Sequence, residues 1–104
     1  MAAQKKYTVQ SKVWIYPGDV GWHFVNVDKK LAAELKEKYA TKTKGFGSIP
    51  VKVTIGKTTW KTSLFPEKRS GTYLLPLKAP VRRAEDISEG DTVEFTIAIQ
   101  ISPK

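Results

Sequence analysis

The sequence predicts a mainly β protein: a small six-stranded barrel, closed or nearly closed, that carries one longer and one short helix. The first observation behind this is the alternation of apolar and polar residues over most of the chain, which is typical of strands with one buried face. The second is an order of strand, strand, helix, strand that occurs in residues 7–55 and again in residues 58–101. Closure removes the exposed edges that such strands would otherwise present. With 104 residues, the chain is expected to form a single domain, 1–104.

Three strands are predicted in the first half. Residues 22–27 are aromatic and β-branched, and residues 49–55 alternate strictly between apolar and polar. The first strand, over 7–16, places four apolar side chains on one side of an extended chain: Tyr7, Val9, Val13 and Ile15.

The longer helix is predicted from Asp28 to about residue 42. Asp28 is well placed to cap the first turn. On the outer side, Glu34 lies four residues before Lys38, a charge pair that supports a helix. The inner stripe is spaced by four residues: Leu31, Leu35 and Tyr39.

A β-hairpin is predicted where Gly56 and Lys57 separate two alternating runs. Glycine at the first of two loop positions favours a type II′ turn, and the second run continues as a strand over 58–65. The turn sets the register of three cross-strand pairs: Val53 with Trp60, Lys52 with Lys61, and Thr54 with Thr59.

The rest of the second half repeats the same order of elements. A strand is predicted over 72–77, and Pro80 fits the first turn of a short helix that runs to about Asp86. Gly90 and Asp91 then turn the chain. Residues 92–101 place five large apolar side chains on one face and predict the last strand.

The charge balance favours anionic partners. Lysine and arginine number 18 against 10 aspartate and glutamate residues, a net charge of +8. The basic residues lie almost entirely before residue 84, whereas five of the ten acidic residues follow it, so one basic and one acidic surface are expected. A lysine-rich surface that serves solubility explains the same composition.

Several chemistries are excluded or disfavoured. Without cysteine the chain has no disulfide, thiolate nucleophile or cysteine-bound metal, which fits a reducing compartment. One histidine with scattered carboxylates forms no recognisable metal-ligand spacing, so neither metal nor cofactor is expected. No secretion signal or membrane-spanning run is recognisable, so we expect a cytoplasmic protein without a membrane partner.

Several runs of residues together form a familiar pattern: Trp22–Val25, Gly45–Val51, Trp60–Pro66, Gly71–Pro76 and Gly90–Asp91. They resemble a bacterial domain-of-unknown-function family, numbered 1905, over most of residues 7–101. The resemblance implies a double-split (pseudo-)barrel, the architecture of AbrB- and MazE-like transcription factors, in which two swapped subunits build one barrel and bind DNA. The two halves of this chain would then mimic that dimer, and a monomer is expected.

The resemblance does not extend to the DNA-binding loops. Residues 84–93 are similar to the short helix, Gly-Asp turn and strand of the AbrB-like subunits. In this chain the segment is acidic, and the arginine-bearing loops of those proteins have no obvious match. DNA binding is therefore not implied by the likeness of fold.

An anion-binding stripe is predicted on the outer face of the hairpin. Lys52 opposite Lys61 brings together two like charges, which repel unless an anion or a neighbouring carboxylate intervenes. Glu94, on a strand expected alongside, is the candidate for such a carboxylate. The alternative is a solvated outer face. Three further residues complete the candidate site, whose ammonium and hydroxyl donors suit phosphates without reading a base sequence: Lys57, Thr54 and Thr59.

A second candidate is a pocket at His23, formed with Trp22 and Ser48. A neutral imidazole, hydrogen-bonded inside the barrel or at its rim, is the expected state in this aromatic run. Catalysis would need a nucleophile and an orienting group in reach, for which Ser48 and Asp19 are the candidates.

Base stacking by tryptophan is not favoured by the pattern. Trp60 shares the inward side of its strand with Thr62 and Leu64, and Trp14 is the one tryptophan that the alternation predicts to be exposed.

The sequence thus favours a non-enzymatic binding module for an anionic partner, either nucleic acid or an acidic protein. Two alternatives stay open: a small enzyme that uses His23 in a cleft at the barrel end, and a protein-interaction domain without a nucleic-acid role.

Overall fold

Antiparallel strands dominate the structure, a computed structural model that describes residues 6–18, 21–39 and 47–100. The strands form one sheet in the order β1-β7-β4-β5-β6-β3-β2. Two helices connect them, and the mainly β prediction is confirmed. The elements are β1 Lys6–Lys12, β2 Trp14–Ile15, β3 His23–Val27, α1 Lys29–Tyr39, β4 Ile49–Ile55, β5 Thr58–Glu67, β6 Thr72–Pro76, α2 Ala79–Glu85 and β7 Thr92–Ile99.

The sheet curls into a nearly closed barrel because its two edge strands follow each other in the chain. β1 pairs with β7, whereas β2 pairs with β3 at the other edge. Val13, between them, donates its N–H to the Asp91 carbonyl oxygen (2.9 Å) and accepts the Gly90 N–H (2.8 Å). The predicted first strand is therefore divided into β1 and β2, because the backbone of Val13 bonds the turn at Gly90 and Asp91 instead of β7 or β3. As a result, the described chain has seven strands and not six.

The strand pairing follows a two-fold pattern. β5 pairs with β4 along its first part and with β6 from Phe65 onward, just as β1 pairs with β7 and β2 with β3. The pairs β4–β7 and β3–β6 join the two halves. Each half of the chain thus contributes strands to both sides of the barrel. That residues 7–55 and 58–101 are structurally equivalent stays a prediction.

The core lies inside the barrel and under α1. In β4 every second residue is fully buried, as the alternation predicts. Leu35 and Tyr39 of α1 are 0% and 1% exposed and close one side of the core. Burial of each such side chain contributes about 1.5–3 kcal/mol. The largest fully buried side chains on the strands are Phe95, Ile49, Leu64, Leu75 and Ile97.

The start of α1 is capped as the sequence predicts. The Asp28 carboxylate accepts the Leu31 N–H at 2.8 Å. Glu34 forms the predicted ion pair with Lys38 at 2.9 Å, and it also accepts the Tyr7 hydroxyl at 3.1 Å. This contact ties the outer side of the helix to β1. The predicted helix end near residue 42 lies outside the described residues.

The hairpin between β4 and β5 has the predicted register, including Lys52 opposite Lys61. Gly56 has a φ of +56°, and Lys57 does not have a positive φ, as a type II′ turn requires. The Glu85 carboxylate, at the end of α2, accepts the Lys57 N–H (3.2 Å) and the Thr58 hydroxyl (2.6 Å). The end of α2 therefore stabilises the turn through Glu85.

The remaining boundaries agree with the sequence within about three residues, the usual uncertainty of element ends. Pro80 lies in the first turn of α2, as expected. β7 ends at Ile99, and the predicted strand residue Ile101 lies outside the described residues.

Gly56 and Gly71 provide a matched test of the contact between Glu85 and the turn. Both have positive φ, but a Cβ at Gly56 would overlap the Glu85 carboxylate, whereas one at Gly71 meets no neighbour within 4 Å. We expect Gly71→Ala to cost about 1 kcal/mol through backbone strain. Gly56→Ala should cost about 1 kcal/mol more, since it displaces an acceptor of two hydrogen bonds.

Urea denaturation of both variants, alone and with Glu85→Ala, measures these costs. In the Glu85→Ala background the two glycine substitutions should become equal. An excess cost of Gly56→Ala that survives there would mean that Glu85 does not stabilise the turn.

The contact between Tyr7 and Glu34 predicts a pH dependence. Burial, followed by the hydrogen bond to Glu34, raises the pKa of Tyr7 above 10.0 in the folded protein. The resulting stability is fully present below the pKa of the unfolded chain and is lost as the pH rises through the folded-state pKa. The free energy of unfolding should therefore fall less in Tyr7→Phe than in the unmodified protein between about pH 9 and pH 11.

Chemical denaturation at several pH values measures this difference. Tyr16→Phe, which changes a half-exposed ring, is the control and should keep the full pH dependence. Identical pH profiles for Tyr7→Phe and the unmodified protein would contradict the account.

Candidate functional site

The outer surface of β1, β7, β4 and β5 carries two rows of side chains that run across the strands. One row is mainly lysine, and the next is entirely threonine. We call these eight residues the Lys–Thr face: Lys6, Ala98, Lys52 and Lys61 in the first row, and Thr8, Thr96, Thr54 and Thr59 in the second.

The lysine row concentrates positive charge. Lys52 lies opposite Lys61 on one side and Ala98 on the other, and Lys6 stands opposite Ala98. All three lysines are exposed, and within the described ranges none of their ammonium groups forms a hydrogen bond or ion pair. Like charges directly opposite each other destabilise a sheet, so an anion bound between them would relieve a repulsion.

The threonine row supplies hydroxyl groups beside those charges. The Oγ1 atoms of Thr54 and Thr59 are hydrogen-bonded at 3.0 Å, and those of Thr8 and Thr96 lie 3.5 Å apart. Each hydroxyl has one donor and two acceptor positions, so a pair of threonines keeps donor capacity for a ligand.

A depression of about 380 Å³ lies where the two rows meet. Because Ala98 has only a methyl group, the sheet is hollow between Lys6 and Lys52, and Thr54, Thr59 and Thr96 line the other side. Among the described residues no carboxylate lines this depression. The arrangement can hold an anionic group between ammonium and hydroxyl donors.

The structure brings together most of the predicted anion site. Lys52, Lys61, Thr54 and Thr59 lie on the Lys–Thr face. Lys57 is at the tip of the hairpin, beyond the threonine row, where its backbone N–H binds Glu85.

The predicted neutralising role of Glu94 is wrong within the described structure. Glu94 stands opposite Gln10 on β1, and in the described ranges it forms no ion pair with a lysine. It is displaced along β7 from the lysine row, because Ala98 is the β7 residue that lies opposite Lys52. Glu94 instead lines an acidic depression with Glu85, Asp86 and Asp91.

The second candidate, the cavity at His23, has a volume of about 240 Å³. His23 Nδ1 donates to the Gly21 carbonyl oxygen at 2.6 Å, since a carbonyl can only accept. The Leu77 carbonyl oxygen accepts Arg82 Nε–H at 3.0 Å. Trp22, Lys78 and Arg82 line the cavity with His23.

Only part of the predicted pocket is assembled there. Trp22 and His23 both line the cavity, but Ser48 does not, because it precedes β4, which is separated from β3 by β5 and β6 in the sheet. Asp19, the expected orienting group, lies outside the described residues. Within the described ranges, the lining contains no serine, threonine or carboxylate that would serve as nucleophile or base.

Aromatic rings gather on the outer surface next to this cavity. Trp14 and Phe24 lie opposite each other on β2 and β3, with ring centroids 5.2 Å apart. Trp22 stacks on Phe24 with an interplanar angle of 12°, and Tyr16 packs on the edge of Phe24. We call these four residues the aromatic cluster: Trp14, Tyr16, Trp22 and Phe24.

The expectation that Trp14 is the one exposed tryptophan is wrong, because Trp22 is 51% exposed. Trp22 lies before the start of β3, where strand alternation no longer fixes its direction. Trp60 packs against the core, as predicted. Trp14 is partly covered, and its Nε1–H donates to Asn26 Oδ1 at 2.5 Å.

The described part of the chain shows neither a metal site nor a membrane-spanning helix. Its histidine, aspartate and glutamate residues include no group of three or more that would hold a metal ion. Neither α1 nor α2 has the length and apolar composition needed to cross a membrane.

The fold and its outer surfaces define a small, nearly closed β-barrel with a basic face and an aromatic cluster. The chain belongs to the family described as Domain of unknown function (DUF1905), whose model matches residues 10–97. The family predicted from the sequence is thereby confirmed. A search of curated proteins finds no match.

Proposed function

We propose that the protein is a non-enzymatic binding module whose Lys–Thr face contacts the phosphate backbone of a nucleic acid. The observation that carries this proposal is the row of three exposed lysines beside four threonines, five of which line a depression that no described carboxylate lines. The net charge of +8 adds a general attraction for polyanions.

The geometry suits a backbone better than a single base. Neighbouring strands lie about 4.8 Å apart, so Lys52 and Lys61 start close together and their flexible side chains can bracket one phosphate. Lys6 starts two strands away from Lys52 and can reach a neighbouring phosphate. Contacts of this kind position a nucleic acid and carry no sequence information.

The position of the arginines supports binding without sequence readout. Bidentate recognition of guanine edges usually depends on arginine. Arg69, Arg82 and Arg83 all lie outside the Lys–Thr face, in the loop after β5 and on α2. An acidic protein would bind the same lysines, and the competition experiment below distinguishes it from a nucleic acid.

The finer description of the fold belongs to the same proposal. We infer a double-split barrel in which the two halves of one chain replace the two swapped subunits of an AbrB-like dimer. The exchange of pairing partners between the halves supports this inference. We also infer that the protein is monomeric, cytoplasmic and of bacterial origin.

Paired charge variants test the role of the face. Lys52→Gln with Lys61→Gln should weaken binding of a single-stranded oligonucleotide about tenfold at low salt. The slope of log affinity against log salt should also shrink by about 0.7, since the one phosphate that these two lysines bracket is no longer neutralised and the probe is a single strand. Fluorescence anisotropy with a labelled strand longer than the roughly 4 to 16 nucleotides that small barrels cover gives both quantities.

The matched control is Lys36→Gln with Lys68→Gln, which removes the same charge from exposed positions on α1 and in the loop after β5. It should retain nearly full affinity. An equal loss in both double variants, or no binding at low salt, would overturn the proposal. Polyglutamate that competes as well as an oligonucleotide of equal charge would favour an acidic protein instead.

A further inference from the structure

The cavity at His23 combines an aromatic wall with two cations, and we propose that it binds a small aromatic ring bearing a carboxylate or phosphate group. This site is independent of the proposed nucleic-acid function. Its lining residues come from the end of β6, the connection to α2, α2 itself and the segment around the start of β3, and none of them belongs to the Lys–Thr face.

The size of the cavity limits the ligand. Its volume of about 240 Å³ is below that of sites for drug-sized molecules, which start at about 300 Å³. A single ring with one charged substituent is the class of ligand that such a space accommodates. A macromolecule would have to present such a group at a terminus or side chain.

Trp22 provides the surface for the ring. One ring contact of its indole is with Phe24, in a near-parallel stack with centroids 6.1 Å apart. The side chain is nevertheless 51% exposed, so half of its surface remains accessible. Pro76 and Leu77 add apolar lining. An aromatic ligand gains from stacking on an indole that is already held in place.

Arg82 and Lys78 provide the charge. The Leu77 carbonyl oxygen binds Arg82 Nε–H at 3.0 Å, which orients the guanidinium and leaves its two NH₂ groups as donors. In the described ranges neither Arg82 nor Lys78 has a carboxylate partner. A planar carboxylate matches the fork of an oriented guanidinium, and a phosphate is bound by the same donors.

His23 adds a fixed polar wall. Its Nδ1–H is committed to the Gly21 carbonyl oxygen, and Leu77 N–H donates to the His23 carbonyl oxygen at 2.9 Å. The ring and the backbone of this residue are therefore both held by neighbours that line the cavity. The site is formed before the ligand arrives, which reduces the ordering cost of binding.

A panel of small probes separates the two parts of the proposal. Benzoate and phenyl phosphate should bind saturably and shift the NMR signals of the Trp22 indole N–H and the Gly21 amide. Benzamide, which keeps the ring but not the charge, should bind at least tenfold more weakly. Acetate, which keeps the charge but not the ring, should do the same.

Charge variants at Lys78, just before α2, and at Arg82 on α2 test the role of the cations. Arg82→Gln and Lys78→Gln should each weaken benzoate about tenfold and leave benzamide unchanged. Arg83→Gln, an exposed neighbour on the same helix, is the control and should bind normally. Because Arg82 also contacts the backbone, Lys78→Gln keeps the test valid if Arg82→Gln does not fold.

Three results would overturn the inference: equal affinity for benzoate and benzamide, shifts that map to the Lys–Thr face, or an equal loss in Arg83→Gln. These results are independent of oligonucleotide binding. Loss of oligonucleotide affinity in the Lys52 and Lys61 variant with normal benzoate binding would leave both sites standing.

Discussion

The backbone of Val13 is the point on which the barrel depends. Its N–H and carbonyl oxygen both bond the turn at Gly90 and Asp91, so the first strand leaves one edge of the sheet and joins the other. Val13 is 1% exposed, and its side chain stays with the core while the chain bends. The chain pairs with β7 before Val13 and with β3 after it. Its outward side chains therefore belong to the Lys–Thr face before Val13 and to the aromatic cluster after Val13.

The two surfaces differ in chemistry and can serve different ligands. The Lys–Thr face is shallow and offers ammonium and hydroxyl donors, which suit a charged backbone that lies across several strands. The cavity beside the aromatic cluster is smaller and couples an indole to an oriented guanidinium, which suits one planar anion. The acidic residues near Asp86 and Asp91 line a separate depression, so they do not oppose an anion in either proposed site. Membership in a family of unknown function is consistent with either surface being the functional one.

The hairpin and its pairing of Lys52 with Lys61 could be predicted because a two-residue turn fixes the register locally. The helix cap at Asp28 is local in the same sense. The contribution of Thr8 and Thr96 could not be predicted, because it depends on β7 pairing with both β1 and β4, which are distant in the chain. The break at Val13 leaves no mark on the apolar alternation, because Val9 and Val13 keep the same inward side. The exposure of Trp22 and the position of Ser48 could not be predicted for a related reason: both residues lie just outside strands, where periodicity does not determine the direction of a side chain.

Native-state hydrogen exchange tests the central claim, that the first strand closes the barrel, most directly. The informative amides are Val13 N–H, bonded to Asp91, and Tyr16 N–H, bonded to the Trp22 carbonyl oxygen at 2.8 Å. A closed barrel predicts that both exchange with opening free energies within about 1 kcal/mol of the amides in β4, because they open with the whole domain. Rapid exchange of these two amides beside a fully protected β4 would show a frayed first strand and an open sheet, contrary to this account.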